Sequence, residues 1–196
     1  MSTFHTLNPN ETLILASASP RRRELLTQAG LPFVCHPADI DESTVHAAFP
    51  EELVQKLASL KSQAVAQELK TTQLILGADT VVVLDGRIFG KPSTMAEAAQ
   101  MLRALSGRIH SVITGVALRR GEQCITTACI TSVTFKPLSD EAIAHYHSLV
   151  NPMDKAGAYA IQEHGDLIID RIDGSLTNVI GLPIEIVKEL VSCTSS

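Results

Sequence analysis

The sequence predicts an α/β protein built on a mixed sheet, and three observations carry that prediction. Short apolar runs of strand length alternate with segments of helical period, as crossover units require. Asp85-Gly86 stands between two strand-like runs, the mark of a tight hairpin and so of antiparallel neighbours. Cys124 to Phe135, rich in threonine and β-branched residues, follows a turn at Gly121 and supplies a second hairpin partner. Hairpins together with crossover units give a sheet with both strand senses.

Size and composition bound the answer. The 196 residues, 45% hydrophobic and 19% charged, suit an ordinary globule of one generous domain or one domain with two lobes. A net charge of −5 argues against broad nucleic-acid binding but leaves room for a local basic pocket. The opening Met1-Ser2-Thr3-Phe4-His5-Thr6 has no signal-peptide pattern. No apolar run approaches the roughly 20 residues that span a bilayer. The expectation is a cytoplasmic protein with no membrane and no nucleic-acid partner. Residues 1–10 read as a disordered or loosely held leader and 11–196 as a single domain without a linker. Cys35, Cys124, Cys129 and Cys193 form no C-x-x-C pair, so they are expected as buried thiols rather than zinc ligands or disulfides.

The elements follow in order. Leu13-Ile14-Leu15 is a buried strand, and Ser19-Pro20 opens a helix as N-cap and first residue. Gly30 closes that helix. Three arginines, Arg21 to Arg23, fall in its first turn, where the helix already carries partial positive charge. Either this is a solvated basic turn, or an anion rests above it. Its place directly after a buried strand favours a phosphate site. Phe33 to Cys35 is a brief strand, and Asp39 to Glu42 an acidic loop, solvated or metal-binding. Pro50 to about Leu69 is a helix with an apolar stripe of Leu53, Leu57, Leu60 and Ala64, widened by Val54, Ala58 and Val65. Lys61 falls inside that arc, either snorkelling past apolar neighbours or aimed into a polar cleft.

Asp79 interrupts the strand Leu74 to Leu84, a costly place for an acid unless it is paired or holds a cation. Lys91 is fixed between Gly90 and Pro92. Thr94 and Glu97 form a capping box for a helix to Ser106, stopped by Gly107. His110 to Leu118 is a strand, and Ser139 caps a helix to about Val150. His145 and His147 on that helix point to different faces and read as surface histidines. Residues 151–162 are irregular, Asp166 to Ile172 suits a strand, Asp173-Gly174 a turn, and Pro183 to Val191 a closing helix.

The unusual positions form a set. Ser17, Ser19 and the arginines offer hydroxyls and cations, Lys61 and Lys91 add charge, and Glu42 and Asp79 offer two carboxylates. A polyphosphate calls for the first group, and a Mg²⁺ bridging phosphates calls for the second. No Walker loop, G-x-G-x-x-G, G-x-S-x-G or H-E-x-x-H occurs. Chemistry alone therefore leads to a phosphate-bearing small molecule and a divalent metal.

The run Leu15-Ala16-Ser17-Ala18-Ser19-Pro20-Arg21-Arg22-Arg23-Glu24-Leu25-Leu26 resembles the opening motif of the Maf family of nucleoside triphosphate pyrophosphatases. The resemblance continues through Asp41-Glu42, Lys61, Gly77-Ala78-Asp79-Thr80, Gly90-Lys91-Pro92, Ser106 to His110, Thr114-Gly115-Val116, Asp154 to Gln162 and Gly181-Leu182-Pro183. It implies a Maf/ITPase-like fold, with a long mixed sheet, flanking helices and two lobes around a cleft, in a homodimer. It also implies hydrolysis of a nucleoside triphosphate to the monophosphate and pyrophosphate with Mg²⁺ or Mn²⁺. Asp79 would accept the proton of the attacking water and Glu42 would help to hold the metal, with Asp79 as the second carboxylate. Ser17, Ser19, Arg22, Lys61 and Lys91 would hold the phosphates.

Arg21, Thr80 and Gln162 match the positions that set specificity in the family, in the pattern of its dTTP/UTP branch. A glutamine amide donates and accepts, which suits a uracil or thymine edge. The branch that acts on 7-methyl-GTP resembles S-P-W-R-R, where tryptophan would stack on a cationic purine. Rival readings are that second activity, or a nucleotide-responsive regulator of cell division with little catalysis. The chain departs from the family pattern at Leu60, Ser62 and Leu176, where a polar residue, alanine and an aromatic are usual.

Overall fold

Three consecutive fully buried residues, Leu13–Leu15, form strand β1 of a computed structural model that describes residues 11–192. The leader expected over residues 1–10 lies outside the described residues. Strand β2 (Phe33–Cys35) pairs parallel with β1, and β1 pairs parallel with β3 (Ile75–Leu84). Strand β4 (Arg87–Phe89) returns antiparallel to β3 through Asp85 and Gly86, both at positive φ, the geometry of a type I′ turn. Strands β5 (Ile109–Arg120), β6 (Gln123–Phe135) and β7 (Ile169–Asp173) complete the order β2-β1-β3-β5-β6-β7. The expected mixed sheet is therefore present, with seven strands and helices α1 (Pro20–Gln28), α2 (Pro50–Leu69), α3 (Met95–Leu105), α4 (Asp140–Leu149), α5 (Leu176–Ile180) and α6 (Ile184–Ser192).

The described chain divides into two compact units: residues 11–79, 114–129 and 181–192, and residues 80–113 and 130–180. In the first, Ile14, Ala16, Val65 and Ile75 pack into a core cluster. In the second, Val82, Phe89, Leu102, Leu105, Phe135 and Tyr146 belong to a larger one. No helix among the described residues is long and apolar enough to cross a membrane.

Several local expectations need correction. The buried face of α2 is Val54, Leu57, Ala58, Lys61, Ser62 and Val65, whereas Leu60 is exposed and Leu53 and Ala64 are half-buried. The true face is rotated by about one residue step from the leucine stripe. Two glycines explain it. A Cβ on Gly77 would lie 2.1 Å from the Ala58 carbonyl oxygen, and one on Gly115 2.3 Å from the Val54 carbonyl carbon and oxygen. Helix backbone rests directly on these two strands, so the face carrying Val54 and Ala58 turns inward with Leu57 beside it, and Leu53 and Leu60 turn aside.

The thiols differ as well. Cys35 is exposed on short β2, and Cys124 and Cys129 are half-buried, because these strand segments are only partly covered. Cys193 lies outside the described residues. His145 is exposed as expected, but His147 is half-buried, and its Nε2 donates to the Ala158 carbonyl at 3.3 Å. Residues 165–167 form a 3-10 turn rather than strand, since Leu167 and Ile168 donate back to the His164 and Gly165 carbonyls. Glu97 reaches Ser93 rather than Thr94, accepting from its N–H at 2.7 Å and its hydroxyl at 2.6 Å.

His110 lies in the second core, 2% exposed, with Nε2 2.8 Å from the Tyr159 hydroxyl and no hydrogen-bond partner on Nδ1. Desolvation of the imidazolium pushes its pKa down to about 4. Between that value and the unfolded value near ~6.5, the unfolded chain binds the extra proton. His110 therefore costs no stability above about pH 6.5, and lowers stability as pH falls towards 4, by about 3 kcal/mol in all. Denaturant titrations of the wild type and His110→Gln at pH 7.5 and 4.5 should show a steeper loss in the wild type. Equal losses would refute the assignment.

Candidate active site

The first unit builds its polar centre from four pieces of chain. Strand β1 ends at Leu15, and Ser17, 7% exposed, follows two residues later. The Ser17 hydroxyl accepts from the Ser19 N–H at 3.2 Å and from Arg22 Nη1 at 3.1 Å. Ser19 is the N-cap of α1, accepting from the Arg22 N–H, and Pro20 occupies the first turn. Arg22 also donates through Nη1 to the Ala78 carbonyl and through Nε to the Gly181 carbonyl, each at 2.8 Å. Its guanidinium thus ties the start of α1 to the residue before Asp79. Burial lowers its pKa and Arg21 adds to the lowering, against the fields of Asp79 and Glu42. The side chain nonetheless remains a cation at neutral pH. Arg21 is half-buried on the same turn and Arg23 is exposed.

Lys61 resolves the two readings its position left. It is 9% exposed, and its ammonium lies 2.6 Å from Asp79 Oδ1 and 2.8 Å from Glu42 Oε1. Asp79 is itself 8% exposed, so the acid that interrupts the apolar β3 run is paired. Glu42 belongs to a 3-10 turn capped by Asp41, whose carboxylate accepts from the Ser43 N–H at 3.0 Å. The Glu42 side chain keeps about half of its surface in solvent. One ammonium thus gathers two carboxylates, one buried and one open. Strand periodicity places Asp79 on the same face as Gly77, against α2. The glycine contact that brings the helix close also brings Lys61 within reach.

The second unit holds the remaining predicted residues. Thr80 follows Asp79 along β3 and is half-buried. Lys91 is exposed, and the chain before it is fixed by the Gly157 N–H donating to the Gly90 carbonyl at 3.0 Å. Gly157 is required there, since its φ is +70° and a Cβ would meet Val82 at 2.9 Å. Gln162 is exposed in a turn. Two neighbours hold that turn: the Tyr146 hydroxyl donates to and accepts from the Ala160 backbone at 3.0 Å, and buried Lys155 lies 3.3 Å from Glu163.

Sequence reasoning missed Lys155, which is 4% exposed and also pairs with Asp154 at 2.9 Å. It also missed Arg119, buried on β5 and bonded to α2. The signal for Arg119 was its two-residue phase with Gly115, which assigns both to one face of the strand. Helix α5 went unread too. Ser175 caps it, accepting from the Asn178 N–H at 3.1 Å, in a segment too short for periodicity to show.

The fold defines an α/β class with a long mixed sheet, shared with the Staphylococcus aureus Ham1 protein. That structure matches at a TM-score of 0.54 with 14% identity, over 92% of this chain and 98% of that one. The chain belongs to the Maf-like protein family, whose model matches residues 12–193. It is 51% identical over 174 residues to the dTTP/UTP pyrophosphatase of Symbiobacterium thermophilum, covering 89% of each chain. It is 50% identical over 183 residues to the dTTP/UTP pyrophosphatase of Moorella thermoacetica, covering 92% of this chain and 93% of that one.

Proposed function

We propose that this protein is a cytoplasmic nucleoside triphosphate pyrophosphatase, with residues 11–196 as one functional domain, that hydrolyses dTTP and UTP to the monophosphate and pyrophosphate. The observation that carries the reading is the Lys61 ammonium within 2.8 Å of both Asp79 and Glu42. The names of relatives about half identical to this chain support the substrate class.

In this mechanism Asp79 accepts a proton from water as the water oxygen attacks the α-phosphorus. The bond from that phosphorus to the bridging oxygen breaks, and pyrophosphate leaves. Lys61, 2.6 Å from Asp79 Oδ1, holds the carboxylate in orientation between turnovers. Ser17, Ser19, Arg22 and Lys91 bind phosphate oxygens, with Arg22 and Lys91 opposing their charge. The donor set also fits a divalent cation, Mg²⁺ or Mn²⁺. Glu42 and Asp79 are hard oxygen ligands, and two carboxylates with substrate phosphates is the set that Mg²⁺ favours. Such a metal, when bound, would polarise the phosphate oxygens. Glu42, with about half of its side-chain surface in solvent, would be the more accessible of the two carboxylates to such a metal.

Product analysis with UTP, dTTP, CTP, ATP, GTP and 7-methyl-GTP in Mg²⁺ or Mn²⁺ tests the reading. UMP and dTMP formed with pyrophosphate are expected. Release of inorganic phosphate with UDP, turnover of 7-methyl-GTP alone, or binding without turnover would overturn it. Gln162 is proposed to read the pyrimidine edge alongside Arg21 and Thr80. Gln162→Glu exchanges an amide that donates and accepts for a carboxylate that only accepts. Its kcat/KM for UTP should fall roughly 10-fold, about the worth of one lost hydrogen bond to the base.

A further inference from the structure

Arg119 carries a charge into the packed side of α2, where it is 7% exposed, and among the described residues it meets hydroxyls and a carbonyl rather than a carboxylate. Its Nε donates to the Ser62 hydroxyl at 3.1 Å, its Nη2 to the Ser59 hydroxyl at 3.3 Å, and its Nη1 to the Gly121 carbonyl at 3.5 Å. The Ser62 hydroxyl in turn donates to the Ser59 carbonyl at 2.8 Å, which leaves its lone pairs facing the guanidinium. Burying a cation on neutral partners is costly, so this arrangement is a poor way to gain stability.

What it supplies is direction. Helix α2 comes up against strand backbone at Gly77 and Gly115, and its Val65 packs with Ile14, Ala16 and Ile75. The glycine contacts set distance, and by themselves they resist rotation about the helix axis weakly. Ser59 and Ser62 flank Lys61 on that helix, and bonds to both from one planar guanidinium oppose rotation. The leverage is large: a turn of about 10° moves a side-chain tip ~6 Å from the axis by ~1 Å. The Lys61 ammonium has two carboxylates to meet at 2.6 and 2.8 Å, so a shift of that size would spoil both contacts.

We propose that Arg119 is a positioning residue, which locks the rotation of α2 through Ser59 and Ser62 and so aims Lys61 at Asp79 and Glu42. It rests on the assignment of Lys61 and Asp79 to catalysis. Ser62 supplies the hydroxyl that the Arg119 Nε reaches and is the second half of the lock.

The test uses the full-length protein as wild type, Arg119→Met, Arg119→Lys and Ser62→Ala. Three quantities are measured: kcat and KM for UTP, melting temperature, and the rate at which acetic anhydride acetylates Lys61 relative to exposed Lys56. Arg119→Met should lower kcat roughly 10- to 100-fold, as ~1 Å misplacements do. KM should change by less than about threefold, since substrate contacts remain. Its melting temperature should hold or rise, because an apolar chain replaces a buried charge. Lys61 acetylation should rise ~10-fold as the residue loses its fixed place. Arg119→Lys should recover part of kcat.

Wild-type kcat and labelling in Arg119→Met would overturn the proposal. So would a loss of kcat with Lys61 labelling unchanged, or a fall in melting temperature that accounts for the lost activity. Should Arg119→Met not fold, Ser62→Ala decides: faster Lys61 labelling and lower kcat support the lock, and wild-type values of both overturn it. If the wild type does not turn over UTP, the function assigned above falls, while the labelling comparison still decides the role of Arg119.

Discussion

Asp79→Asn is expected to abolish nearly all turnover while leaving nucleotide binding intact. Asparagine keeps the size of the side chain and removes its ability to take a proton from water. Loss of a positioned general base costs roughly 100- to 10,000-fold in rate. Single-turnover formation of UMP, measured beside calorimetric binding of UTP, separates the two effects. The substitution should also lower stability, because Lys61 is buried and Asp79 is the nearer of its two acids. Removing one partner of a buried pair can cost about 3–5 kcal/mol, and the surviving contact to Glu42 should keep the loss below that range. Glu42→Gln should behave differently. Its side chain is half in solvent, so the melting temperature should move little, whereas the metal concentration needed for half-maximal rate should rise. A variant Asp79→Asn with the wild-type rate would remove Asp79 from the mechanism altogether.

The contrast between what was legible and what was not follows from the kind of signal each residue leaves. An acid inside Leu74 to Leu84 and a lysine inside an apolar arc are both violations of pattern, and the structure pairs them at 2.6 Å. The acid called for a partner or a cation, and the lysine allowed either snorkelling or a polar cleft; neither named the other, because residues 61 and 79 have no fixed spacing in a chain. The start of α1 was legible through local rules, and Ser19 and Pro20 occupy the expected places. The destination of Arg22 was not, since its partners are backbone carbonyls at positions 78 and 181, which no side-chain pattern encodes. The face of α2 was legible only in part: Val54, Leu57, Ala58 and Val65 of the predicted arc are buried, but Leu53 and Leu60 are not. Leucines make the more hydrophobic stripe, yet the glycines at 77 and 115 decide which face can come closest. Hydrophobic periodicity counts oil, whereas packing also depends on what the opposing surface lacks.

Those glycines yield the second large effect. Gly77→Ala and Gly115→Ala should each destabilise the protein by at least about 3 kcal/mol, well beyond an ordinary glycine-to-alanine change. Neither residue is at positive φ, so backbone conformation is not the obstacle. The obstacle is contact: the new methyl would stand 2.1 Å from the Ala58 carbonyl oxygen in one case and 2.3 Å from the Val54 carbonyl in the other. Both obstructing groups are helix backbone, which cannot move aside as a flexible side chain can. Helix α2 must lift from the sheet or tilt. The two substitutions should then separate by what lies beside them. Gly77 shares a strand face with Asp79, two residues on, so lifting α2 there draws Lys61 away from its acid directly. Gly115 opposes Val54, about two turns from Lys61, and shares its face with Arg119. For equal losses in melting temperature, Gly77→Ala should therefore lose more kcat for UTP at low temperature, where both variants remain folded. Denaturant titration gives the stability of each, and kcat at 10 °C gives the geometry. Wild-type stability in either variant would mean that α2 does not rest on glycine at that point, and the packing that aims Lys61 would need another origin.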